Sequence, residues 1–274
     1  MAGDGELHLE HWNLEHWIYG VSRERGYGIK AESHALNASL YTHLLANQFT
    51  PVRMEKTSDG GTRMDARMIH PAPGNDEVLL SLLGRGEPDE YDRPTIQNHT
   101  VIIPAPLLRT GRLTLDQVEA AAREFDQRSP TASGRIDPIL AQLGTAKPAP
   151  EPPGLGVRRL ITRAAVETLA SRLLTDPESR TLVLCRESTN QYRNALLYRL
   201  VELLNFGGGI PIFPSISDAP TLSAMNHFRL AIGARGVRAD RTWTLLDATL
   251  EEPALPRYEG ETAVYSLIER AFAV

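Results

Sequence analysis

Asn98-His99-Thr100 stands immediately before the apolar run Val101-Ile102-Ile103-Pro104. Polar groups at the entrance of a strand are fixed by the sheet while staying reachable, a placement that suits binding and acid-base work. The same residue types also supply turn and backbone hydrogen bonds. His8, His11 and His16 lie close together with Glu10 and Glu15, and imidazoles beside carboxylates ligate zinc when they converge. On a strand, however, His8 and His16 share one face and His11 takes the other, and the near-repeat LEHW reads as strand packing. Cys185 becomes a nucleophile if a histidine such as His99 or His227 lowers its pKa. Closing the apolar run Thr181 to Cys185, it reads instead as a small core residue.

Phe206 to Pro211, FGGGIP, has the glycine content of a phosphate loop, but phosphate loops need a strand before the glycines and a helix start after them. Here the glycines follow a helical segment, so a helix end and tight turn fit better. Gly26-Tyr27-Gly28 reads as a strand turn. No Ser nucleophile elbow, HExxH, CxxC pair or EF-hand spacing occurs. No catalytic residue, metal site or cofactor is therefore assigned. Tyr27, Asn98 and His99 are the residues expected to serve an interaction.

The elements that must hold these residues follow from pattern. HWNLEHWIYGVS, a turn at Arg23 to Gly26, and YGIKAES read as two strands. Pro51 to Lys56, Thr62 to His70 and His99 to Pro104 are further strand candidates. Thr114 followed by Gln117 has capping-box spacing, with Leu115, Val118, Ala122 and Phe125 on one helical face. Asn37 to Gln48 and Asp76 to Leu83 are weaker helix candidates.

After the proline-rich TAKPAPEPPGLG, a helix is expected from Thr162 to Leu174, closed by Asp176-Pro177. A buried strand at Thr181 to Cys185, a helix at Asn190 to Asn205, and the apolar IPIFPS then suit one βαβ crossover. Pro211 and Pro214 confine that last strand to an edge. Thr221 to Arg229, Arg241 to Leu250 and Thr262 to Phe272 read as helix, strand and terminal helix. The fold class expected is α+β: a β-rich first lobe (1–144), a Pro-rich linker (145–156) and an α/β second lobe with a βαβ-like unit (157–274).

Composition narrows the function classes. The 274 residues, 42% hydrophobic and 23% charged, suit an ordinary globular chain. With 29 basic against 34 acidic side chains, the net charge of -5 supplies no broad cationic surface for nucleic acid. Lysine occurs only at Lys30, Lys56 and Lys147, so positive charge is almost all guanidinium, suited to carboxylate or phosphate. A single cysteine excludes an internal disulfide and fits a reducing cytoplasm. The acidic, polar segment Met1 to Glu10 is unlike a signal peptide. No apolar run of membrane-spanning length occurs, so no membrane partner is expected.

Trp17-Ile18-Tyr19-Gly20, then Gly26-Tyr27-Gly28-Ile29-Lys30-Ala31-Glu32-Ser33, then Asn98-His99-Thr100-Val101-Ile102-Ile103-Pro104 resemble the N-terminal module of bacterial GTPase-associated proteins. Arg180 to Cys185, the Leu196 to Leu204 helix and Asn205-Phe206 resemble that module's strand, its leucine-rich helix and the phenylalanine-containing turn after it, so the likeness spans roughly residues 7–235. Asn205-Phe206-Gly207 departs from the family's serine-phenylalanine-serine/threonine turn, so the resemblance carries no role onto that turn. The resemblance implies a non-enzymatic cytoplasmic adaptor whose protein partner is a GTPase or other NTPase of a prokaryotic conflict or signalling system. An alternative is a hydrolase or transferase acting on a small anionic metabolite between the lobes, with His99 as acid or base near His34 or Cys185. A third reading is a homo-oligomer pairing through Ile210 to Phe213.

Overall fold

The computed structural model describes residues 10–22, 26–34, 55–56, 62–63, 66–71, 76–86, 88–93, 95–144, 156–187, 189–205, 216–217, 228–233, 241–260 and 262–273. Its strands in the first half are β1 (His11–Leu14), β2 (His16–Ser22), β3 (Gly26–Ser33), β4 (Glu55–Lys56), β5 (Thr62–Arg63), β6 (Ala66–Pro71), β7 (Glu77–Arg85) and β8 (Ile96–Pro104). Helices α1 (Ala105–Arg109) and α2 (Leu115–Arg128) and strands β9 (Gly134–Ile136) and β10 (Ile139–Gln142) follow. The second half holds α3 (Gly156–Leu160), α4 (Arg163–Thr175), β11 (Arg180–Leu184), α5 (Asn190–Asn205), β12 (Ile216–Ser217), β13 (Leu230–Gly233), β14 (Trp243–Asp247) and α6 (Thr262–Phe272). The architecture is α+β. No helix among the described residues is long and apolar enough to cross a membrane.

One mixed sheet of ten strands, in the order β14-β11-β13-β12-β6-β7-β8-β2-β3-β9, runs through both halves of the chain. Its first-half strands from β6 to β3 pair antiparallel, as short turns allow. Its second-half strands β12, β13, β11 and β14 are parallel. The crossover from β11 through α5 returns to the sheet at β12, with β13 between the two. The halves meet where β12 pairs antiparallel with β6, Ile216 opposite Ile69 and Ser217 opposite Met68. One apolar core is correspondingly shared, from Leu14, Leu80 and Val101 to Leu200, Ile232 and Ile268.

The Asp76–Leu83 segment is not a helix. It is β7, central in the sheet between β6 and β8. Val78, Leu79, Leu80, Leu82 and Leu83 are all buried, and a short apolar run covered on both faces carries no period that separates strand from helix. The hairpin of β2 and β3 forms as expected, as do the helices at 163–175, 190–205 and 262–272 and the strand at 180–184. The helix candidate 37–48, the 210–213 edge, the 207–209 glycines, residues 221–227 of the 221–229 helix candidate and 145–155 of the 145–156 linker lie outside the described residues; 228–229 are not helical, and Gly156 opens α3.

α2 is the element that positions the site. Thr114 accepts from the backbone N–H of Gln117 at 3.3 Å, and the Gln117 side chain accepts from the Thr114 N–H at 2.8 Å. The capping box satisfies two otherwise orphaned amides. Leu115, Val118 and Ala122 are buried against the sheet, with Phe125 partly buried beside them. Thr114→Ala is expected to cost about 1 kcal/mol of stability, read as a lowered urea midpoint at unchanged slope. An unchanged midpoint would show that packing alone holds the helix start.

Candidate functional site

Register decides which side chains meet. In β8, His99 lies opposite Ile18 of β2 and Leu82 of β7, and Leu82 lies opposite Arg67 of β6. Directly paired residues share a face, so Arg67, Leu82 and His99 form a row on the side covered by α2. The outer two are about 10 Å apart, at about 4.8 Å per strand. Glu119 and Asp126, two turns apart on α2, have nearly the same spacing at about 1.5 Å per residue. Glu119 meets Arg67 and Asp126 meets His99.

At the first meeting, Arg67 Nε donates to Glu119 Oε2 at 2.9 Å and its Nη2 to Oε1 at 2.5 Å. Arg123, one turn along α2, donates to Oε1 at 2.6 Å, and the hydroxyl of Tyr198 on α5 donates to Oε2. Burial works against the charge on Glu119, but Arg67, Tyr198 and Arg123 outweigh it and hold the carboxyl at about 2.

At the second meeting, His99 Nδ1 lies 2.9 Å from Asp126 Oδ1, and its Nε2 lies 2.7 Å from Nδ1 of His16. His16 Nε2 donates to the carbonyl of Asp137 at 2.8 Å. Phe125 sets its ring edgewise against both imidazoles, 4.6 Å from His16 and 5.7 Å from His99 between centroids. The protons follow from the acceptors. A carbonyl only accepts, so His16 Nε2 carries hydrogen. Each of the other two contacts needs one hydrogen as well. The chain is bonded throughout only when it holds one proton beyond two neutral rings and a carboxylate.

That proton does not rest on His16. Burial, then the charge on His99, pushes His16 down to about 4, against smaller opposing effects of the Asp137 carbonyl and Asp126. His99 is held between Asp126 at its Nδ1 and His16 at its Nε2. Both of its nitrogens are engaged inside the protein, and His99 is buried.

Beside this chain opens a cleft of about 380 Å³, lined by His99, Asp126, Arg123, Gln97, Leu82 and Gly84 among others. It sits where β7 ends and β8 begins, under the last turns of α2.

Of the residues singled out in the sequence, Asn98 and His99 are both buried but point to opposite faces. Asn98 shares its face with Thr100, whose hydroxyl donates to Asn98 Oδ1 at 3.2 Å and lies 2.8 Å from the Ser81 hydroxyl. Asn98 Nδ2 is buried and has no hydrogen-bond partner. Tyr27 is exposed, its ring stacked on Tyr19 at 6.3 Å. His34 is on the surface, 3.9 Å from Asp137 Oδ1. Cys185 is buried in the core at the end of β11. Five strand spacings, about 24 Å, separate β11 from β8, so Cys185 and His99 do not converge. His11 is exposed on β1, and His8 and His227 lie outside the described residues. Among those residues no group of three or more His, Cys, Asp or Glu side chains is placed to hold a metal.

Sequence reasoning passed over Asp126, Arg67, Glu119 and Arg123, and weighed His16 only as a metal-ligand candidate beside His8 and His11. One signal was available: Glu119, Arg123 and Asp126 recur at i, i+4 and i+7, a charged stripe beside the apolar face of a capped helix. No family model matches this chain, and no curated protein matches it.

Proposed function

We propose that this chain is a non-enzymatic cytoplasmic adaptor that docks a GTPase or other NTPase of a prokaryotic conflict or signalling system. One observation supports it most: His99, the most suggestive acid-base group, is buried and has both nitrogens engaged in internal hydrogen bonds. Its role is to tie β8 to α2 and β2. The hydrolase or transferase reading needs His99, His34 or Cys185 at one point, and the three stand apart. The segments that resemble the GTPase-associated module occupy adjacent strands β3, β2 and β8, where their residues mostly pack.

Tyr27 is the residue of the three that a partner can reach, at 55% exposure. Rigid exposed tyrosines are favoured anchors in protein interfaces. Co-purification with a candidate GTPase or other NTPase from the same source, followed by its nucleotide turnover with and without added adaptor, tests the reading. Association is expected, weakened about tenfold by Tyr27→Ala. An NTPase that neither binds the chain nor changes its turnover overturns the proposal.

A further inference from the structure

We infer that the cleft under α2 binds a neutral primary carboxamide carried on an apolar ring. The floor of the cleft is two same-face rungs of the sheet, Leu82 opposite His99 and Gly84 opposite Gln97, and its roof is Arg123 and Asp126 of α2 with Pro130 just beyond the helix. The charged lining is one guanidinium and one carboxylate, Arg123 and Asp126, so a ligand with a net charge meets one group of its own sign. His99 has both nitrogens engaged and adds only ring surface. Hydrogen bonding names the class. Asp126 accepts or shares its contact with His99 through Oδ1, while Oδ2 has no partner among the described residues and the side chain is 33% exposed. The half-buried Gln97 side chain likewise has no hydrogen-bond partner among the described residues. The cleft therefore offers one unmet acceptor and one unmet amide, which both donates and accepts. A primary carboxamide matches that set: its carbonyl and one N–H pair with the amide of Gln97 edge to edge, and its second N–H donates to Asp126 Oδ2.

Shape sets the body of the ligand. Leu82 and Pro130 supply apolar wall, and an apolar pocket with a few converging polar groups is the usual make-up of a small-molecule site. About 380 Å³ is room for a single ring with its amide. Gly84 leaves the floor bare opposite Gln97, since a Cβ built there meets nothing within 4 Å. A side chain at position 84 would fill the cleft without clashing with the fold.

The site goes beyond the adaptor reading and would give such an adaptor a metabolite to sense. Its test needs no NTPase, so the two readings fail separately. Benzamide is titrated into the full chain by calorimetry beside three probes of similar size. Dimethylbenzamide, methylated twice on nitrogen, keeps ring and carbonyl but lacks both N–H groups, whereas benzoate and benzylammonium keep the ring and carry a charge. Benzamide is expected to saturate, with each of the other three at least about tenfold weaker. Gln97→Leu should weaken benzamide about tenfold by removing the amide it pairs with. Gly84→Leu should abolish binding while the urea midpoint stays near the parent's. The inference is overturned if benzamide fails to saturate below about 10 mM, if the dimethylated amide or either charged probe binds as tightly, or if folded Gln97→Leu or Gly84→Leu binds benzamide as tightly as the parent.

Discussion

Glu119→Ala is expected to destabilise the fold by about 3–5 kcal/mol, the usual cost of removing one partner from a buried ion pair. The Arg67 side chain is only 4% exposed and receives two hydrogen bonds' worth of acceptor from this one carboxylate. Without it the guanidinium stays buried with that compensation gone, and the Tyr198 hydroxyl loses its acceptor too. Against a typical domain stability of about 5–15 kcal/mol the loss is large. Urea denaturation of parent and variant measures it. The double variant Arg67→Met/Glu119→Leu separates charge from packing, because apolar replacement of both partners is often neutral or better. A double variant as unstable as Glu119→Ala would place the cost in packing.

Acidification is expected to remove several kcal/mol of stability between pH 6.5 and 4, and the cause is two buried histidines. His70 is held down at about 3 by burial, its ring 5.2 Å from Phe228. His16 is held at about 4 by burial first and then by the charge of its neighbour His99, whose Nε2 lies 2.7 Å from His16 Nδ1. An unfolded chain takes up protons on both near pH 6.5, whereas the folded chain refuses them. The unfolded state binds more protons through this window, so stability falls as pH falls, by about 1.4 kcal/mol per unit for each group. Glu119 has the opposite placement in pH. Its carboxyl is depressed to about 2, so its contribution is full above the ordinary carboxylate range and is lost only as pH drops through about 2. Early acid unfolding therefore belongs to the histidines. Urea midpoints at pH 7 and pH 5 should converge in His70→Leu relative to the parent. An identical pH slope in both proteins would remove His70 from this account.

Local chemistry announced much of the fold. Thr114 with Gln117 and the period of Leu115, Val118 and Ala122 marked α2, because capping and amphipathicity act within a few residues. The ends of α5 and α6 were legible for the same reason. β7 was not, because its leucines are covered on both faces and display no alternation. Half of the site was visible: His99 stood out at a strand entrance. Its partners did not, since His16 and Asp126 lie 83 and 27 residues away in sequence. The pairing of 69 with 216 that carries the sheet from one half to the other has no local cause at all. Such contacts come from register and packing, which periodicity does not encode.

The join between β6 and β12 has a mechanical meaning. Among the described residues the antiparallel and parallel halves are stitched by two rungs, whereas β7 and β8 share nine. The join line between the two parts of the sheet runs through residues 68–69 and 216–217. Arg67 sits on that line, clamped to α2 and through Glu119 to Tyr198 of α5. One carboxylate on α2 thus fastens the join strand β6 and the second-half helix α5 at the same point.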